Sequence, residues 1–380
     1  MPTVPRRLLL KLGLAAATIV LAVLAVEGGL RLAGYEPIPL RQGGEGMELV
    51  LQAADHPILT YELRPNGRGW VWNTEVAINS HGFRDAEYAL EKTAGVVRIV
   101  ALGDSVTFGN EQPQEATWPE VLERLPADSQ PSFEVLNLGV AGYNTLEEVI
   151  FLEQTGLAFD PDVVVLQVHV NDLAASSISA DGIARIERYR SPLYRWRLVQ
   201  LLRVKLDRRQ LTRRQGRAND EAVFAERYGE YVDDLSSDRE LRGLMDELRR
   251  RIEDRGRLPV KHRVLEWYTS EVRVGRLRHA LRRLAELREA HGFEAAAFVL
   301  PCFQEAGLER EHELAYAITE HELVGAGLHV VPIREITRRV GHDDLRKDTW
   351  HPNERGQGVI ARGVLRFLAE EGLLAPKGER

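Results

Sequence analysis

Ser105 lies in Gly103-Asp104-Ser105, directly after the apolar run Val97-Arg98-Ile99-Val100-Ala101-Leu102. A strand that ends in so tight a turn delivers its hydroxyl at the C-terminal edge, where open α/β sheets carry their chemistry. A serine hydroxyl alone is a poor nucleophile; a neighbouring base has to take its proton. The chain offers one far downstream, in Asp348-Thr349-Trp350-His351-Pro352-Asn353. An aspartate and a histidine spaced in this way fit one side of a turn, so the carboxylate can orient the imidazole. Ser105, His351 and Asp348 are the residue types of a Ser-His-Asp triad, and the chemistry they suit is acyl transfer.

Attack on a carbonyl creates an oxyanion, which needs donors aimed at it. Val135-Leu136-Asn137 leads into Leu138-Gly139-Val140-Ala141-Gly142-Tyr143-Asn144-Thr145, whose glycines let backbone N–H groups approach a ligand. The run Val163–Val168 ends at His169-Val170-Asn171-Asp172, which puts an amide side chain at the same edge. The N–H groups of Ser105 and Gly142 and the Asn171 side chain can therefore converge on one oxygen. Singly, each has a plainer role: Gly139 and Gly142 shaping a turn, Asn171-Asp172 capping a helix, Asp348 in a turn, His351-Pro352 opening a helix. Their shared position at one predicted sheet edge favours chemistry.

The elements that must hold these groups are legible as alternating periods. Strands are predicted at 97–102, 133–138, 162–168, 293–300 and 328–332, and helices at 117–125, 145–156, 270–291, 309–325 and 355–371. Val163-Val164-Val165-Leu166 is apolar without alternation, as expected of a parallel strand covered on both faces. Five strands interleaved with helices predict an α/β domain over 96–373, a three-layer sandwich around a five-stranded parallel sheet.

Two stretches stand outside that alternation. Residues 35–95 carry turn formers (Pro37, Pro39, Gly43, Gly44) and then strand-like pieces around Trp70–Ile78; they read as an extracytoplasmic lead-in packed on the catalytic domain. Between Asn171 and Ser270 lie about a hundred residues, far more than an ordinary βα connection. Within them, 174–269 is expected to be a helical insertion capping the Ser105 edge, with Leu193, Trp196, Leu198, Leu201 and Leu202 covering it. Arg203, Lys205, Arg208, Arg209, Arg213, Arg214 and Arg217 would face outward, toward solvent, lipid head groups or an anionic glycan; the acidic Glu230, Asp233, Asp234 and Asp238 follow.

Composition narrows the setting. Fifty basic and 57 acidic residues give a net charge of −7, which does not suit a nucleic-acid partner. The single Cys302 rules out an intrachain disulfide framework and, by count, a cysteine-based zinc site; it reads as a buried inert thiol. No metal or cofactor is expected. Arg6, Arg7 and Lys11 precede the apolar run Leu12–Val26, and the pattern continues through Gly28, Gly29, Leu30 and Leu32. Glu27 and Arg31, spaced i and i+4, can offset each other's charge near the outer boundary. Residues 1–34 thus read as an uncleaved membrane anchor, with the basic flank inside and the catalytic part outside. A cleavable signal peptide, cut after Val23-Leu24-Ala25, is the rival.

Gly103-Asp104-Ser105, Gly142, Asn171-Asp172 and Asp348-x-x-His351, in that order, resemble the four blocks of the SGNH/GDSL esterase-lipase family. The likeness spans about 96–171 and 293–371. Asn79-Ser80-His81-Gly82-Phe83-Arg84-Asp85 and Thr117-Trp118-Pro119 are similar to segments of its membrane-anchored bacterial members. The resemblance implies a flavodoxin-like fold, Ser105 as nucleophile, His351 as base, Asp348 as its orienter, and Ser105, Gly142 and Asn171 as the oxyanion hole. It implies a serine esterase without cofactor, acting on short acyl groups such as acetyl, with acylated carbohydrate or lipid as substrate. A polysaccharide O-acyltransferase using the same site and a non-catalytic binding protein on an esterase fold are the alternatives. Two positions depart from the family pattern: Val106 replaces leucine, and His169 stands where glycine commonly begins the third block.

Overall fold

A computed structural model describes residues 5–34, 46–125, 132–188, 190–202 and 220–376. The chain opens with helix α1 (Arg6–Leu32), long and apolar enough to cross a membrane. At about 1.5 Å per residue its 27 residues measure roughly 40 Å. Two antiparallel hairpins follow, β1 (Leu51–Ala53) with β2 (Tyr61–Leu63) and β3 (Arg68–Val71) with β4 (Thr74–Ala77).

The central sheet is built from β5 (Val97–Leu102), β6 (Phe133–Asn137), β7 (Val163–Val168), β8 (Glu294–Val299) and β9 (His329–Val330). All pairings are parallel, and the spatial order is β6-β5-β7-β8-β9. That is the flavodoxin-like order, and it reverses direction at β5. Each predicted strand is present, with β9 shorter than expected because only two residues pair with β8.

Alternate residues of one strand serve opposite faces. Val97, Ile99 and Ala101 join Val163, Val165 and Phe298 in one core; Val100 and Leu102 join Val164, Leu166 and Val168 in the other. The first core is closed by α2 (Trp118–Arg124), α7 (Ile333–Val340) and α8 (Glu354–Glu370). The second is closed by α3 (Thr145–Gln154), α5 (Glu271–His291) and α6 (Glu309–Gly325). A strand apolar on both faces therefore marks a sheet covered twice, as the three-layer expectation required.

The insertion is helical where described. Its helices Ala180–Arg188 and Glu221–Tyr228 are followed by α4 (Arg239–Arg255) and a 3-10 stretch, Val260–Thr269. It spreads along the α5–α6 flank and does not lie only over the Ser105 edge: α4 packs on α6, where Arg251 and Arg255 both reach the buried Glu311. Leu193 and Leu202 are 68% and 57% exposed, so these two do not cover the edge. Instead the N–H groups of Arg197 and Leu198 bind the Glu27 carboxylate of α1 at 3.0 and 2.9 Å, beside the expected Arg31–Glu27 pair at 2.7 Å. The Arg/Lys run from Arg203 to Arg217 lies outside the described residues.

Candidate functional site

The nucleophile turn is held open by what surrounds it. A Cβ on Gly103 would stand 2.2 Å from Thr107 Oγ1 and 2.6 Å from Gln167 Oε1, so only glycine lets the chain turn here. Asp104, fully buried, caps the short helix Ser105–Phe108 by accepting the Val106 N–H at 3.0 Å. Ser105 begins that helix, and its Oγ lies 2.9 Å from His351 Nε2. His351 Nδ1 lies 3.0 Å from Asp348 Oδ2, and Asp348 Oδ1 accepts the backbone N–H groups of Trp350 and His351 at 2.7 and 2.8 Å. Three side chains from the two ends of the catalytic region therefore meet in a line.

The electrostatics suit that line. Burial works against a charged His351, but the hydrogen bond and charge of Asp348 outweigh it and raise the imidazole above its ordinary value. Burial also opposes ionisation of Asp348. The His351 ring and the two backbone donors nevertheless hold its carboxyl well below the usual carboxylate range. The pair favours a proton on the ring once one arrives.

Three groups are the expected oxyanion donors. Neither the Ser105 nor the Gly142 backbone N–H donates to another group among the described residues. Gly142 adopts φ +85, and a Cβ there would meet the Ser177 side chain at 1.8 Å, so conformation and space both demand glycine. Asn171 Nδ2 donates to Asp104 Oδ2 at 3.3 Å, which places the amide nitrogen beside the nucleophile turn. Asp172 does not cap a helix: its carboxylate accepts the His169 N–H at 3.1 Å and the Thr145 hydroxyl at 3.0 Å, tying β7's end to α3.

Several residues that hold this geometry carried no assigned role in the sequence. The Arg84 guanidinium is buried and donates to the carbonyls of Phe108, Gly109, Gln112 and Glu75, pinning the loop that follows Ser105. Asp85 accepts the Asn137 N–H at 2.7 Å, and Asn137 Nδ2 reaches the Thr107 carbonyl at 2.9 Å. Trp118 Nε1 donates to Thr107 Oγ1, and Gln357 bridges the Trp118 N–H and the Val106 carbonyl. Arg84, Asp85 and Trp118 sit inside the two extra segments that resemble the family's anchored members, which was the only signal available. The lead-in reaches the oxyanion loop too: Tyr61 Oη donates to the Ala141 carbonyl at 2.7 Å.

Cys302 is buried, and burial pushes its thiol up to about 12. His262 and His312 bring ring nitrogens within 4.8 Å of its sulfur. The same atoms are accounted for by hydrogen bonding. His312 Nε2 lies 3.0 Å from His262 Nδ1, and burial pushes the His312 ring down to about 3, leaving it neutral.

Compared with known proteins, the chain matches the model of the GDSL-like Lipase/Acylhydrolase family over residues 101–359. It matches no curated protein. Among solved structures it is similar to a lipolytic protein of the G-D-S-L family from Desulfitobacterium hafniense DCB-2. The two share 15% identity and a TM-score of 0.38, over 72% of this chain and 99% of that one. It is also similar to an acetylxylan esterase from Geobacillus stearothermophilus, with 12% identity and a TM-score of 0.38 over 72% and 94% of the two chains. An α/β hydrolase from the metagenome of Lake Arreo, Spain, gives 14% identity and a TM-score of 0.39 over 73% and 96%.

Proposed function

The chain belongs to the GDSL-like lipase/acylhydrolase family and acts on ester bonds, and from that premise we propose that Ser105, His351 and Asp348 form its triad and that hydrolysis runs through an acyl-enzyme. The observation that carries this is the Ser105 Oγ–His351 Nε2 distance of 2.9 Å with Asp348 behind the ring. Ser105 Oγ attacks the ester carbonyl carbon while its proton passes to His351 Nε2. The oxygen that gains charge is met by the N–H groups of Ser105 and Gly142 and by Asn171 Nδ2. When the tetrahedral intermediate collapses, the alkoxide leaves with the proton from His351. Water then attacks the acyl-enzyme, gives a proton to His351, and the released Ser105 takes it back.

Removing one oxyanion donor costs about 10²–10³ in kcat. Asn171→Ala should slow release of p-nitrophenol from an acetyl ester by that factor while KM moves little. A variant that only unfolds would return Asn171 to a structural role. The acyl group is proposed to be short, as the family resemblance implies. Acetate release from acetylated glycans, set against release of longer acids, tests that reading. Acetyl found on an acceptor sugar instead of in water would reassign the same acyl-enzyme to transfer.

We also propose that α1 stays attached as an extracytoplasmic anchor. Its Glu27 carboxylate is bound to the insertion through two backbone N–H groups and to Arg31. After membrane fractionation the chain should remain in the pellet through a high-salt wash. A soluble product beginning at Val26 would establish cleavage instead.

A further inference from the structure

His169 closes β7's end with a ring that is only 2% exposed, next to the amide assigned above to the oxyanion. Its Nδ1 lies 2.8 Å from Asn171 Oδ1. The other end of the same carboxamide, Nδ2, donates to Asp104 Oδ2 at 3.3 Å. The two ends of the amide are thus told apart by different neighbours. A carboxamide oxygen only accepts, so the Asn171 contact requires the proton to be on His169 Nδ1. Burial lowers the basicity of the ring, which keeps it neutral with that single proton. Nε2 is then the bare nitrogen, and it is buried without a hydrogen-bond partner among the described residues.

An asparagine side chain turned over by half a rotation has nearly the same shape. Sterics therefore cannot keep Asn171 the right way round. Turned over, it would present an oxygen to the developing oxyanion and to the Asp104 carboxylate, and both contacts are repulsive. Held as observed, the nitrogen spends one hydrogen on Asp104 and keeps the second for substrate. The closest contact that fixes this choice is the one from His169.

We infer that His169 is a positioning residue: its Nδ1–H holds the Asn171 amide with the nitrogen toward the Ser105 turn. This rests on the reading of Asn171 as an oxyanion donor. Trp350, between Asp348 and His351 in the chain, braces the ring edge-on and is itself packed against His262 of the insertion at 5.8 Å. The hydrogen bond, not the ring's bulk, is what the inference assigns.

The test is steady-state hydrolysis of p-nitrophenyl acetate by the full chain in detergent. Four variants are compared: His169→Phe, His169→Gln, Asn171→Ala, and the double variant of His169→Phe with Asn171→Ala. Phenylalanine keeps a ring against Trp350 and removes the donor; kcat should fall by about 10–100-fold, less than the loss expected for removing the oxyanion donor outright, with KM nearly unchanged. Glutamine restores an N–H and should recover most of the rate. In the Asn171→Ala background, His169→Phe should cost less than about twofold more, since residues acting through one contact are not additive. His169→Met, apolar and pliant, carries the same expectation if phenylalanine prevents folding. Wild-type kcat in both donor-less variants, or a His169 loss of equal size with and without Asn171, overturns the inference. Wild-type kcat in Asn171→Ala is a different failure, because it removes the oxyanion reading itself.

Discussion

Replacing Ser105 by alanine should lower ester turnover by about 10⁶-fold, the loss typical when a triad serine is removed. The change deletes one hydroxyl whose contacts are the 2.9 Å bond to His351 and a 3.4 Å approach to Asp104. Neither contact is part of the strand pairing or of the two cores, so folding stability should change by no more than about 1 kcal/mol. Thermal unfolding followed beside the kinetics separates the two effects. A fluorophosphonate probe should label the native chain and leave Ser105→Ala unlabelled. Undiminished turnover in a folded Ser105→Ala protein would move the nucleophile elsewhere.

Asp348→Asn should be nearly as severe and should also change the shape of the pH profile. The general base works only when His351 is neutral, so rate rises with pH through the titration of that ring. In the native chain burial lowers the ring's basicity, while the bond and charge of Asp348 raise it further, giving a net value above the ordinary 6.5. The acid limb should therefore have its midpoint above 6.5. Asparagine keeps the shape and loses the charge, leaving burial as the main influence, so the midpoint should move to lower pH. On the plateau above both midpoints kcat should fall by about 10⁴, because the amide no longer selects the productive tautomer or stabilises the imidazolium, and on the acid limb the loss should be smaller. A rate loss with an unmoved acid limb would mean that a different group sets the ring's protonation.

What the sequence carried depended on how local each constraint was. The strands were legible because Val163-Val164-Val165-Leu166 and its counterparts have to be apolar on both faces. Ser105, Gly142, Asn171, Asp348 and His351 were legible because each follows a predicted strand or opens the last helix. Arg84 was not, because burying a guanidinium makes sense only once the four carbonyls it meets, three of them in a distant loop, are known. His169 was visible as a departure, yet its role depends on which end of Asn171 it touches. The path of the insertion was equally hidden. Its apolar side chains fixed that it must pack, and only the fold could decide between the Ser105 edge, the α5–α6 flank and α1. The Glu27 contact joins residues 170 and 171 positions apart, with no periodicity to announce it.

The distance along the chain between Ser105 and His351, 246 positions, also sets a clock. At about 5–20 residues per second, the ribosome releases the serine about 12–50 seconds before its base. By the end of that interval the nascent protein already carries α1, Ser105 and the proposed oxyanion donors Gly142 and Asn171. On the proposed mechanism it still lacks His351, the base that takes the serine's proton. On that reading activity needs the last segment, in which His351 lies just ahead of α8, the helix packed on α2. A chain cut short before Asp348 is then expected to be inert, so neither an unfinished nor a prematurely terminated product would be a working hydrolase.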